Sequence, residues 1–132
     1  MYSGYEIDKD SRDKLAVLYP PKYRNFLGHH ITEEFGVAAD SEPPEQPKNV
    51  KVIGVIDNDV NVQGFLVSID GNMNRPSGGK YHITWSIDRS KGAKPFHTNN
   101  YVNDAVMLSR PIEIDVTPKV FTKATDAYVK ES

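Results

Sequence analysis

Alternation of apolar and polar residues is the main pattern along this chain, and it predicts a protein rich in β-strands. Extended segments are predicted at residues 2–7, 26–36, 50–56, 60–69, 81–87 and 111–116. The third and fourth segments are separated by Asp57-Asn58-Asp59, three residues that favour turns. We therefore expect these two segments to form a hairpin.

Two segments carry apolar residues at helical spacing and predict helices. The first begins at Asp8 or Ser11 and ends before Pro20-Pro21, and the second covers residues 99–108. Their apolar positions are Leu15, Leu18 and Tyr19 in the first helix and Tyr101, Ala105 and Leu108 in the second. With the strands, these helices predict a single α+β domain over residues 1–132 that has two main helices and mostly antiparallel strands.

Two further segments have the composition of loops. Residues 41–48 contain three prolines, and residues 71–79 are rich in Gly and Asn. The second of these leads directly into the predicted strand 81–87, so we expect a mobile segment beside that strand.

Composition and charge narrow the classes of function. Hydrophobic residues make up 38% and charged residues 26% of the chain, which is typical of a globular domain. The formal net charge of −2 argues against sequence-independent binding of duplex DNA but leaves a small nucleotide ligand open. The absence of cysteine excludes disulfides, cysteine-ligated zinc and a thiol nucleophile. Without a signal-like start or an apolar run of membrane-spanning length, we expect a cytoplasmic protein with no membrane partner.

The most distinctive feature is a matched pair of tripeptides, His30-Ile31-Thr32 and His82-Ile83-Thr84. Alternate side chains of a strand share a face, so each His points the same way as its Thr. Around the second tripeptide the other face is wholly apolar, formed by Tyr81, Ile83, Trp85 and Ile87. The first tripeptide is less regular, because strict alternation places the charged Glu33 on the core-facing side with His29, Ile31 and Phe35. The second tripeptide therefore predicts a strand whose back packs on the core and whose front lines a cleft.

Two such motifs suit phosphoryl chemistry without a metal or other cofactor. If the strands face a common groove, one imidazole can remove a proton from water or a ribose hydroxyl while the other protonates the departing alkoxide. Each Thr hydroxyl can donate to a phosphate oxygen and orient the phosphorus. The sequence does not fix which histidine is the acid and which the base. We predict that His30, Thr32, His82 and Thr84 form the catalytic set.

Other interpretations remain open at this stage. The two histidines can be ordinary strand residues, with the threonines present for their β propensity. A metal site from His29, His30, His82 and His97 is disfavoured, because adjacent strand residues point to opposite faces and no carboxylate spacing supports it. A non-catalytic nucleotide-binding module would use the same cleft.

The two tripeptides and their surroundings resemble the 2H phosphoesterase superfamily, in which paired His-x-Thr or His-x-Ser elements hydrolyse nucleotide phosphodiesters. Similar segments are Tyr5-Glu6 through Leu15, Tyr19-Pro20-Pro21-Lys22-Tyr23, Gly28 to Thr32, Phe35-Gly36-Val37, Gly79 to Thr84, Gly92-Ala93-Lys94-Pro95 and Asn99. The second half is similar to cyclic phosphodiesterase modules of RNA-repair proteins and to phage anti-CBASS nucleases, which cut cyclic oligonucleotide alarm signals.

The resemblance implies a bilobal α+β fold with the active site in the groove between the lobes. It implies a nucleotide or cyclic oligonucleotide substrate, degraded in the host cytoplasm if the enzyme comes from a phage, or a 2′,3′-cyclic phosphate in RNA-end repair. Base recognition would fall to aromatic residues that reach the groove, and Tyr5 and Tyr23 are the candidates for stacking on a base. The sequence has no heptad or apolar stripe that would set an oligomeric state.

Overall fold

The computed structural model describes residues 1–122, and residues 123–132 of the predicted single domain lie outside this part. The strands are β1 (Tyr2–Ile7), β2 (Asn25–Phe26), β3 (His30–Phe35), β4 (Val50–Asp57), β5 (Val62–Ile69), β6 (His82–Ile87), β7 (Val106–Glu113) and β8 (Val116–Phe121). One α-helix, α1 (Lys9–Leu18), and two 3-10 helices, Arg89–Lys91 and Pro95–Asp104, complete these 122 residues. The predicted α+β class is confirmed. None of the helices in this part has the length and apolar character needed to cross a membrane.

All eight strands belong to one antiparallel sheet with the order β7-β4-β5-β6-β3-β1-β8, and β2 also pairs with β6. Strands β7 and β8 form opposite edges, yet only Ile114 and Asp115 separate them in sequence. Backbone bonds from Ile114 to Val50 and from Asp8 to Asp115 hold this short link in place. The two edges therefore approach each other, and the sheet is strongly curled.

The main core fills the inner face of this curl. Alternate residues of the strands point inward, as the sequence pattern predicted, and Leu15 of α1 packs among them. The buried members include Tyr5, Ile31, Phe65, Ile83 and Trp85. The Trp85 indole is fully buried and donates to the Tyr19 carbonyl at 2.8 Å. This core fixes the positions of β3 and β6, the two strands that carry the tripeptides.

The outer face is covered over only part of the sheet. The 95–104 helix packs on this face of β4, β5 and β6 through Val102, which contacts Ile56 and Leu66 in a second apolar cluster. Gly64 of β5 permits the close approach, because a Cβ there would lie 3.0 Å from the Thr98 methyl and 2.6 Å from the Ile83 carbonyl oxygen. The outer faces of β3 and β1 lie beyond this helix, and the tripeptides are at the boundary.

Several predicted elements are confirmed, but the second helix is wrong, and the segment predicted as one strand at 111–116 is divided between the end of β7, a two-residue link and the start of β8. The hairpin formed by β4 and β5 has the predicted turn, and β1, β3 and β6 lie where extended segments were expected. The helix predicted at 99–108 is wrong: a 3-10 helix ends at Asp104, and β7 begins at Val106. Pairing of Val106 with Val55 and of Met107 with Gly54 explains the difference, since tertiary pairing with β4 overrides local helical spacing.

Candidate active site

The register of β3 and β6 brings the two tripeptides together. Ile31 lies directly opposite Ile83, and both side chains point into the core. The flanking residues therefore share the outer face, with His30 across from Thr84 and Thr32 across from His82. In a regular antiparallel ladder the diagonal between the two histidine Cα atoms is about 7–8 Å. All four predicted catalytic residues consequently lie in one group with a local two-fold arrangement.

The ring of His30 rests in an aromatic corner. Its centroid lies 5.0 Å from that of Tyr2 and 5.1 Å from that of Phe121, and these two rings stack on each other at 4.8 Å. Gly4, opposite Thr32 on β1, adds no side chain to this face. Burial lowers the pKa of His30 well below its ordinary value of 6.5, and the nearby His29 and His82 lower it further. His30 is therefore neutral at pH 7.

A chain of polar contacts fixes the tautomer of His30. Lys119 donates to Glu6 at 2.8 Å, and the other Glu6 carboxylate oxygen lies 3.5 Å from Nε2 of His29. Nδ1 of His29 lies 3.1 Å from Nδ1 of His30. The Glu6 carboxylate favours a proton on Nε2 of His29, and with that tautomer Nδ1 of His29 accepts a hydrogen bond from Nδ1 of His30. The Nε2 atom of His30 then keeps its lone pair and accepts from the Thr32 hydroxyl at 3.1 Å.

His82 has the same tautomer for a different reason. Its Nδ1 atom donates to the Lys80 carbonyl at 2.9 Å, since a carbonyl oxygen only accepts. Burial is the main cause that lowers the pKa of His82 to about 4, the positive charge of Arg75 contributes, and the bond to Lys80 opposes the shift. Both catalytic candidates thus present an unprotonated Nε2 at neutral pH.

Thr84 is held by Pro95 and Thr98, neither of which was a predicted site residue. Its hydroxyl donates to the Pro95 carbonyl at 3.0 Å and lies 2.8 Å from the hydroxyl of the fully buried Thr98. Thr98 also donates to Pro95 at 3.0 Å, so it can satisfy that carbonyl alone. The Thr84 hydroxyl is then able to rotate toward a bound phosphate.

A β-bulge in β3 changes which side chains face the site. Gly4 pairs with Thr32 but Ser3 pairs with Glu34, so one extra residue is inserted at this point. Phe35, opposite Tyr2, is therefore on the same face as His30 and Thr32, contrary to strict alternation. Glu33 takes the opposite face, where it accepts a hydrogen bond from the Tyr5 hydroxyl at 3.0 Å.

The two tyrosines that we considered for base stacking lie elsewhere. Tyr5 is buried in the core on the inner face, and its burial and the Glu33 contact raise its pKa. Tyr23 is anchored near the far end of β6, where its backbone N–H donates to Ser86 and its hydroxyl donates to Asp57 at 2.7 Å. Neither residue is in the group formed by the tripeptides, because one faces the core and the other lies four residues along β6 from His82.

Sequence reasoning missed Arg75, in the loop between β5 and β6. Its charge acts on His82, and its Cζ atom lies 5.9 Å from the ring centroid of Phe35. The Ser77 hydroxyl donates to the Glu33 carbonyl at 2.8 Å, which ties this loop to the bulge of β3. An arginine in a Gly-rich loop has no sequence signal of its own, since only the folded loop brings it to the site.

Within residues 1–122, no three His, Cys, Asp or Glu side chains are grouped as a metal site would require. His97 accepts from the backbone of Lys94 at 3.1 Å, within the 95–104 helix cap.

Comparison of the chain with protein-family models, with curated proteins and with solved structures found no match.

Proposed function

We propose that this protein is a metal-independent phosphodiesterase of the 2H type that hydrolyses cyclic nucleotide or cyclic oligonucleotide phosphodiesters. The observation that carries the proposal is the register of Ile31 with Ile83, because it gathers both His-x-Thr tripeptides on one face. Two histidines with unrelated roles would not be expected to lie diagonally across a strand pair, each opposite the threonine of the other tripeptide.

In the proposed reaction the phosphodiester lies between the two imidazoles. Nε2 of His30 removes a proton from water or a ribose hydroxyl, the new P–O bond forms, and the opposite P–O bond breaks. Nε2 of His82 gives its proton to the departing alkoxide. We assign the acid to His82 because its bond to the Lys80 carbonyl persists when the ring is protonated, whereas each environmental effect on the pKa of His30 favours the neutral form.

Both imidazoles are neutral in the free protein, so the proposed reaction requires one proton to be taken up. One proton must be present on His82 when the substrate is bound, and the negative charge of the phosphodiester raises the pKa of a neighbouring imidazole. The Thr32 and Thr84 hydroxyls donate to the non-bridging oxygens. His29, which lies beside Glu6, accepts a hydrogen bond from Nδ1 of His30, and the Nε2 lone pair of His30 then faces the substrate.

The two lobes of the proposed fold would be divided between β3 and β6. Strands β3, β1 and β8 form one half of the sheet and β7, β4, β5 and β6 the other, and β3 and β6 share one register pair. The substrate groove would run along this line on the outer face, beside the 95–104 helix.

The test is hydrolysis in EDTA, between pH 5 and 8, of a panel of 2′,3′-cyclic mononucleotides and 3′,3′-linked cyclic di- and trinucleotides. We expect cleavage of at least one member, abolished by His30→Ala and by His82→Ala. His97→Ala is the matched control and should retain turnover. Cleavage that requires an added divalent metal, or that survives in both catalytic variants, would disprove the mechanism. Recovery of intact nucleotide after heat denaturation of a stable complex would instead identify a binding module.

A further inference from the structure

Arg75 is a half-buried cation with unused hydrogen-bond donors. Its Nε atom donates to the Gly78 carbonyl at 2.9 Å, and one terminal nitrogen lies 3.5 Å from the Asn99 side-chain oxygen. No carboxylate in residues 1–122 forms an ion pair with it. Burial lowers the pKa of Arg75, which means that the charged form has lost hydration. An anion bound to the remaining N–H groups would offset that loss.

Phe35 is an exposed aromatic ring beside this guanidinium. About three fifths of the side chain is accessible, at 60%, although large aromatic residues are usually covered. The bulge of β3 directs it to the outer face, three residues along the strand from Thr32 and so about 10 Å away. The ring centroid lies 5.9 Å from that of Tyr2, and the exposed part of the ring is the surface that a planar group would contact.

The loop that carries Arg75 is fixed relative to β3. Within it, the Gly78 N–H donates to the Arg75 carbonyl at 3.1 Å and the Arg75 N–H donates to the Gly79 carbonyl at 2.9 Å. Gly78 and Gly79 have φ angles of 104° and 76°, which only glycine adopts readily. With the Ser77 bond to Glu33, this turn holds the guanidinium near Phe35 before any ligand binds.

We propose that Phe35 and Arg75 form a second nucleotide subsite, in which a base stacks on Phe35 and the neighbouring, non-scissile phosphate binds Arg75. The inference rests on the proposed function, because it takes the scissile phosphate to lie between His30 and His82. It narrows the substrate class to molecules with at least two phosphodiesters, such as cyclic oligonucleotides, and disfavours a cyclic mononucleotide as the main substrate.

The first experiment measures binding of a 3′,3′-linked cyclic dinucleotide that carries 2-aminopurine, whose fluorescence falls on stacking. Phe35→Leu should raise the Kd about fivefold to a hundredfold, the equivalent of one lost base stack. Phe96→Leu is the matched control, because Phe96 is exposed to a similar extent, at 57%, and this variant should leave the Kd unchanged. An equal loss in the control, or none in Phe35→Leu, would overturn the proposal.

The second experiment isolates Arg75. Arg75→Gln should weaken the dependence of Kd on salt, because salt screens the contact between this charge and a phosphate, and Arg110→Gln on β7 should not. The same variant should raise KM for the cyclic dinucleotide about tenfold and raise KM for a 2′,3′-cyclic mononucleotide much less. Equal effects on both substrates would overturn a second-phosphate role.

These experiments distinguish failure of the proposed subsite from failure of the proposed catalysis. If the unaltered protein binds the probe and Phe35→Leu weakens binding, but nothing is cleaved, the subsite stands and the catalytic proposal falls. If the dinucleotide is cleaved and both variants behave like the unaltered protein, only the subsite falls. If the unaltered protein does not bind the probe, the subsite is overturned.

Discussion

The environment of His82 predicts a measurable loss of stability in acid. The ring is held neutral in the folded protein, where its pKa is about 4, whereas 6.5 is the ordinary value that the unfolded chain regains. The unfolded state therefore binds more protons between these values, and the free energy of unfolding falls as the pH is lowered through this window. The His82 contribution is fully present above pH 6.5 and is lost by about pH 4.

The size of this loss follows from the same two values. At pH 4.5 the difference in proton binding amounts to about 2.5 kcal/mol, and the whole interval from 6.5 to about 4 amounts to about 3 kcal/mol. His82→Asn isolates the effect, because the Asn amide can still donate to the Lys80 carbonyl but does not titrate. Burial is the main cause of the His30 pKa shift and is the same in both proteins, so most of the His30 contribution cancels in the comparison.

The assay is urea unfolding of the unaltered protein and of His82→Asn at pH 8 and at pH 4.5. The unaltered protein should lose about 2.5 kcal/mol more than the variant between these values. A direct NMR titration of the His82 ring gives the midpoint independently. A midpoint at pH 6 or above, or an equal loss of stability in both proteins, would refute the assignment of a water-poor environment to this histidine.

Two further predictions concern the strand and the side chain next to His30. A Cβ at Gly4 would lie 2.1 Å from the Ile31 carbonyl oxygen. Gly4→Ala should therefore destabilise the fold by about 3 kcal/mol and lower the Tm by roughly 10 °C in a calorimetric scan. An unchanged Tm would contradict this pairing of β1 with β3. His29→Phe removes the acceptor for the Nδ1 proton of His30 and should lower kcat by about tenfold or more with little change in KM. Nitrogen NMR should then detect His30 protonated on Nε2, and an unchanged tautomer with reduced activity would contradict the positioning role.

Local pattern was enough to predict the strands that carry the site. The apolar face formed around Ile83 and Trp85 placed His82 and Thr84 on the opposite side, and the fold has this arrangement. The resemblance to a family with paired motifs is what suggested that β3 and β6 would meet. Nothing in the alternation of either segment encodes the register of Ile31 with Ile83, which depends on packing of the whole curled sheet.

The features that alternation could not predict arise from departures from regular structure. The bulge of β3 inserts one residue, so Phe35 lies on the outer face and not on the core-facing side that strict alternation predicts. Arg75 depends on a loop whose position is set by Ser77 and by two glycines with positive φ. Tyr5 was a reasonable aromatic candidate by composition, but its place at an inward position of β1 decides its burial.

The aromatic corner beneath His30 has a consequence for how the candidate site forms during folding. Tyr2 and Phe121 are 119 residues apart in the chain, since 121 − 2 = 119, and their strands pair directly. Contacts with so large a sequence separation form slowly, because the loop-closure entropy must be overcome first. The corner is completed only when the first and last described strands meet, so proteolytic removal of β8 should leave His30 unsupported. Recovery of turnover during refolding should accordingly trail the recovery of β-sheet circular dichroism.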